Sequence, residues 1–289
     1  MSSVARPQGE VKKWRVIVFV IVTGLLALLA LYAGVFNLLL LPGQSGFPSE
    51  VHLWHQAQSG ALIALLLGDS LLALLWRPQR KPLLAQFVIL SLAIFSLGFA
   101  TVSGFGFLPI VLGIGIVLIG IFAAAYPSLR GLISFSREGA FSLSLLALSL
   151  LAAVFLAPIA WRDLHYQWAG AIAHDEHALN YHWLTSVLLA VLLVLAGVLT
   201  STRRPGWQVL GLITGVTYLY LGIMALLLPY YAGSWGVTGG VLGLLAGLGY
   251  ITATLVEARR SRQVTPSTTT EMGSTSSQGP EAVAIQTPA

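Results

Sequence analysis

The chain has 289 residues, of which 56% are hydrophobic and only 9% charged, with a formal net charge of +5. A soluble domain carries roughly 25% charged residues, so a water-solvated globule is excluded, and the mean hydropathy of +0.84 points to lipid as the solvent. The absence of cysteine excludes disulfides, thiolate metal sites and cysteine nucleophiles.

A helix needs ~20 apolar residues to cross ~30 Å of hydrocarbon. Eight runs meet that condition, at about 15–41, 57–76, 83–103, 108–126, 141–160, 183–201, 207–229 and 236–256. The fold class is therefore an all-α polytopic membrane bundle. The first run follows "VKKWR", which resembles the basic start of a signal peptide. Its apolar stretch is longer than the ~7–15 residues of such a peptide, so a retained anchor is expected. The third and fourth runs share the short turn "SGFGFLP" at 103–109. The chain divides into an N-terminal segment 1–14, a first four-span half 15–126, a linker 127–140, a second half 141–257 and a tail 258–289. From Ser261 the tail is rich in Ser, Thr, Gly and Pro. It is expected to be disordered, because it buries too little apolar surface to offset its ordering entropy.

Basic residues give the orientation. Arg6, Lys12, Lys13 and Arg15 precede the first span; Arg77, Arg80 and Lys81 follow the second; Arg130 and Arg137 follow the fourth. Arg203 and Arg204 follow the sixth, and Arg259, Arg260 and Arg262 the eighth. With eight spans these all fall on one side, and of the 15 basic residues only Arg162 lies opposite. Cytoplasmic loops retain Lys and Arg, so both termini are expected inside, and topology explains the positive charge better than nucleic acid does. Tryptophan agrees: Trp14, Trp76 and Trp207 mark inner ends, and Trp54, Trp161, Trp168, Trp183 and Trp235 mark outer ones.

A shift of 127 residues (182 − 55) lays the second half on the first. His55 meets His182, each preceded by an aromatic residue at the outer end of an even-numbered span. Arg77-Pro78 meets Arg204-Pro205 at the inner end of the same spans, and Gly106, Gly113 and Gly120 meet Gly233, Gly240 and Gly247. Four spans per half give both halves the same orientation, so the repeat is parallel, with a pseudo-axis along the membrane normal. Chance alignment of two Ala/Leu-rich halves is the alternative.

The segments "HALNYHWLTSVLLAVLLVLAGVL" and "RRPGWQVLGLITGVTYLYLGIMALLL" resemble a family of small four-span bacterial membrane proteins of unknown function. The shared pattern is a paired-His opening of a span, a basic turn, and a Gly-x-x-Tyr-Leu-x-x-Gly span carried by Gly215, Tyr218, Leu219 and Gly222. "VHLWHQAQSGALIALLL" is a fainter copy in the first half. The resemblance implies a duplicated member in a bacterial inner membrane, with no biochemistry to carry over. The eight-span layout is also similar to that of haem A synthase, whose axial histidines lie near outer helix ends. His55 and His182 match such positions, but the fourth and eighth spans carry no histidine. Half of the axial set is missing, and that function does not carry over.

All six histidines, His52, His55, His165, His174, His177 and His182, fall in or beside two outer segments, 43–56 and 161–182. His52 and His55 are three apart, as are His174 and His177, a spacing that puts two rings on one helix face. Paired imidazoles suit zinc, copper or nickel, and Asp175, Glu176, Asp163 or Glu50 could complete a nitrogen/oxygen site. The HExxH signature is absent. Other readings are solvated loop histidines, a pH sensor, or haem between His55 and His182. Asp69 is the one ionisable residue well inside an apolar run, a functional candidate by position. On a regular helix it lies ~21 Å below His55 on nearly the same stripe, which would suit a proton or ion path; its plainer role is to pair with Arg77, Arg80 or Lys81. Gly239, Gly243 and Gly247 form a small-residue stripe for packing within the bundle or between protomers. No P-loop, dinucleotide fingerprint or GxSxG occurs. The leading expectation is a non-enzymatic membrane protein with an outward His/carboxylate site for a divalent metal or haem. The alternatives are a small-solute or proton-coupled transporter using Asp69, and a haem-containing redox protein.

Overall fold

The structure, a computed structural model, describes residues 13–39, 52–102 and 104–263. Among these, regular structure is entirely helical. Eight helices are long and apolar enough to cross a membrane. In chain order the elements begin with α1 (Lys13–Leu38), followed by α2 (Leu53–Gly60), which runs through a π-helical stretch (Ala61–Gly68) into α3 (Asp69–Leu75) as one span. Then come α4 (Pro82–Val102), α5 (Gly104–Ala125), the short α6 (Leu129–Ile133) and the long α7 (Leu143–Ala173). The chain closes with the single turn α8 (Glu176–Leu179), α9 (His182–Ser201), α10 (Trp207–Leu227) and α11 (Gly236–Gln263).

Four spans form the centre: α2–α3, α4, α9 and α10. In their most apolar stretches 39–61% of residues are buried, against 11–33% in α1, α5, α7 and α11, which flank them. The α9 helix packs on α2 and α4, while α10 packs on the π stretch, α3 and α4. Outside this core, α1 lies against the second span and α5, and α7 lies against α9 and α11. Exchanging each span with its counterpart four places along leaves this pattern unchanged. On α5, Ile110, Ile114, Val117 and Ile121 are exposed at helical spacing, a lipid-facing stripe of the kind such a helix needs.

The glycine stripe of α11 is occupied within the chain. A Cβ on Gly243 would lie 3.0 Å from Gly222 Cα, one on Gly247 would lie 2.7 Å from the Gly215 carbonyl, and one on Gly239 would meet Trp235 and Phe155. These glycines bring α11 against α10 and α7.

Several expected boundaries move. The segment 161–173, expected as loop, continues α7. Neither Pro nor Gly falls between Trp161 and Ala169, and Asp163 and Gln167, four apart, turn inward and are buried while Trp161, Tyr166 and Trp168 stay exposed. That amphipathic pattern extends the helix beyond the apolar run. The turn expected at 103–109 contracts, since α5 already starts at Gly104 and carries Pro109 inside it. At the other end, α11 runs to Gln263, past the expected boundary at 257. The linker is folded against the basic end of the bundle: Ser128 caps α6, Glu138 N–H donates to the Arg203 carbonyl (2.8 Å), and the Trp207 indole donates to Glu138 (3.0 Å).

Candidate metal centre

Residues 174–183, HDEHALNYHW, fold as a turn, one turn of helix and a second turn. His174 ends α7 in the left-handed region (φ 56°), and Tyr181 precedes α9 in the same region (φ 58°). Non-glycine residues there cost on the order of 1–3 kcal/mol each and concentrate at functional sites. Between them the Asp175 side chain accepts from Ala178 N–H (3.1 Å) and caps α8. Gln167 of α7 clamps the result, donating to the Ala178 carbonyl (2.8 Å) and accepting from Leu184 N–H (3.0 Å). The two bends throw His174 outward and turn His177 and His182 towards the start of α2.

There they meet His52 and His55. One ligand atom from each of His52, His177 and His182 lies within 4.8 Å of the others. His55 stands beside this triad. Its ring centroid is 5.1 Å from that of His182 and 5.2 Å from that of His177. The remaining separations are 4.7 Å for His52–His177, 4.8 Å for His52–His182 and 5.8 Å for His177–His182. The first half thus contributes two rings and the second half two, and the residues equated by the repeat, His55 and His182, are neighbours. Trp183 packs edge-on to His55 at 4.9 Å and walls the cluster. His52 and His55 are buried.

The polar partners sit on the outer nitrogens of the rings. His52 Nε2 is 3.4 Å from Glu176 Oε1, His177 Nδ1 is 3.7 Å from Asp175 Oδ1, and His55 Nδ1 is 3.2 Å from Gln58 Oε1. The opposite nitrogens of His55 and His177, both Nε2, and the Nδ1 of His182 are buried with no hydrogen-bond partner among the described residues. A buried polar atom left unbonded costs about 1–3 kcal/mol, and here three such nitrogens lie on adjoining imidazoles. Carboxylates on the far nitrogens are the usual outer support of metal-bound histidine. Burial acts to raise the Asp175 carboxyl, but the Trp183 indole, the Ala178 amide and His177 outweigh it and hold it below the usual carboxylate range. At neutral pH it is an anion.

Other residues expected at the site lie elsewhere. His165 is exposed on α7 and His174 is exposed at its end, because the helix extension and the left-handed turn point them away. Asp163 is fully buried, bonded to Arg162 and Ser186 and not to an imidazole. Glu50 lies outside the described residues. Asp69 is half-buried on α3, with no hydrogen bond or ion pair among the described residues. The expected partner Lys81 donates instead to the carbonyls of Ala73 (2.6 Å) and Trp76 (2.7 Å). Asp69 does not share a stripe with His55. The eight-residue π stretch between them turns roughly 18° less per residue than an α-helix, a lag on the order of 140°.

Sequence reasoning missed Gln58, Gln167 and Ser186. Gln58 had one signal, its place three residues after His55 on the same helix face. Comparison with known protein families, curated proteins and solved structures finds no match to the chain.

Proposed function

We propose that this chain is a non-enzymatic multi-pass protein of a bacterial inner membrane that holds one divalent transition-metal ion at its extracytoplasmic face. The ligands are His52 from the first half and His177 and His182 from the second. The observation that carries this reading is the approach of their ligand atoms to within 4.8 Å of one another, with buried unbonded nitrogens on His177 and His182. Imidazole suits zinc, copper, nickel or cobalt and not magnesium or calcium, which take oxygen ligands. Asp175 and Glu176 serve as outer partners that set ring orientation. The basic ends of the spans, with both termini, face the cytoplasm under the positive-inside rule, which puts the histidines outside. The symmetric packing of the two halves supports a duplication that built the site at its own axis. Haem between His55 and His182 is disfavoured, because axial rings on opposite faces of a macrocycle must be separated by it, whereas these rings lie nearly parallel at 5.1 Å.

Elemental analysis of detergent-purified protein after growth with zinc tests the reading. About one zinc per chain is expected, retained in His165→Ala and lost in the double variant His177→Ala, His182→Ala. Equal zinc content in the double variant and the unaltered protein would contradict it.

A further inference from the structure

We propose that His55 is the fourth ligand of this site and that Gln58, Ser186 and Asp163 are positioning residues that hold it for that role. The inference rests on the metal-binding reading and decides its coordination.

A buried chain of hydrogen bonds fixes the His55 ring from the far side. Arg162 Nε donates to Asp163 Oδ1 (2.8 Å), and its Nη2 donates to the Gly233 carbonyl (3.2 Å). The ion-paired Asp163 carboxylate only accepts, so the Ser186 hydroxyl gives its proton to Asp163 Oδ2. Ser186 Oγ is then the acceptor for Gln58 Nε2 (2.8 Å). This turns Gln58 Oε1, an acceptor, towards His55. His55 must therefore carry its proton on Nδ1, and the lone pair is left on Nε2, the nitrogen that is buried and unbonded. The tautomer follows from the direction of each bond in the chain, starting at a group that cannot donate. Arg162 closes the arrangement from the other side. Gly233, held by its carbonyl at φ 76°, lies so close that an added Cβ would sit 3.1 Å from His55 Cε1. The ring is wedged as well as oriented.

The His55 ring stands at tetrahedral spacing from two of the three triad rings. Metal–nitrogen bonds of ~2.0–2.1 Å in a tetrahedral site put neighbouring ring centroids about 5.2 Å apart. His55 lies at 5.1 and 5.2 Å from two of the other rings, and the triad itself spans 4.7–5.8 Å. A tetrahedral site of four protein nitrogens leaves no position for a reactive water, which catalytic zinc sites keep open. The site then holds its ion between the two halves and does not turn over a substrate.

The test is cobalt binding to the full chain in detergent. The unaltered protein should take up Co²⁺ with the intense visible ligand-field absorption of a four-coordinate tetrahedral ion. His55→Ala should weaken that band and lower affinity. Gln58→Leu should lower affinity 10–100-fold, as loss of an outer partner does, and Gln58→Glu, which keeps an acceptor for Nδ1–H but loses the donor to Ser186, should restore part of it. On the unaltered protein, pulsed electron paramagnetic resonance of the Cu²⁺ form should count four coordinated imidazoles, so the test stands even if a variant fails to fold. Cobalt bound with the same affinity and spectrum in His55→Ala, or a count of three imidazoles, overturns the fourth ligand and leaves the triad intact. No cobalt bound to the unaltered protein overturns the inference together with the reading beneath it.

Discussion

Gly247 and Gly120 are matched by the 127-residue shift expected from the sequence, yet the structure gives them opposite surroundings. A Cβ on Gly247 would lie 2.7 Å from the Gly215 carbonyl oxygen and 2.7 Å from Leu219 Cγ, whereas one on Gly120 would meet nothing within 4 Å. Ordinary contact begins at 3.4 Å, so Gly247→Ala is 3.4 − 2.7 = 0.7 Å too close to backbone. Leu219 can rotate, but the Gly215 carbonyl belongs to α10 and moves only with the helix. Overpacking of this kind costs about 1–3 kcal/mol. The helix-propensity gain of ~1 kcal/mol from Gly to Ala is common to both variants and cancels in the comparison. At 2–4 °C per kcal/mol for chains of this size class, Gly247→Ala should melt roughly 2–12 °C below Gly120→Ala. Circular dichroism of both proteins in matched detergent micelles reads the difference. Light scattering should show no change of oligomeric mass, because the stripe is used inside the chain. Equal melting, or greater damage from Gly120→Ala, would refute the α10–α11 seam.

Other positions give sharp outcomes. Tyr250 and Ser149 share a buried hydrogen bond of 2.9 Å, so Tyr250→Phe should cost about 1 kcal/mol; the Tyr218 hydroxyl is buried with no partner among the described residues, so Tyr218→Phe should be neutral or stabilising in the same melting assay. Lys81→Met removes two charge-assisted bonds that close the end of α3 and should cost on the order of 1.5–3 kcal/mol per bond at most, read as a lower unfolding temperature. Asp69→Asn should leave stoichiometric zinc binding unchanged, since the π stretch carries Asp69 off the His55 stripe; loss of zinc in this variant would show the two to be connected. EDTA should strip the metal and lower the melting temperature, because an ion bound by the native state alone stabilises it in proportion to its affinity.

The spans were legible because each apolar run is as long as the bilayer is thick, and the basic loops then had only one consistent side. The meeting of His55 with His182 was legible through the Arg-Pro and His matches of the two halves. Which other histidines join them was not. The three-residue spacing of His174 and His177 implies a shared face only on an unbroken helix, and the left-handed turn at His174 breaks it, while a second at Tyr181 redirects His182. Nothing in the sequence marks those turns, which tertiary contacts such as the Gln167 clamp impose. The register between Asp69 and His55 was not legible for a similar reason, since the period of an all-apolar run does not distinguish π from α winding. Asp163 read as a spare metal ligand because its fate depends on a helix extension that hydropathy alone does not reveal.

The central claim is that the two halves pool their histidines around one ion. X-ray absorption at the zinc edge of the loaded protein tests it most directly. The account predicts a first shell of imidazole nitrogens at ~2.0–2.1 Å, with histidine outer-shell scattering that is reduced on replacing His52 in the first half or His182 in the second. A shell of oxygen alone, or a spectrum unchanged by either replacement, would contradict it.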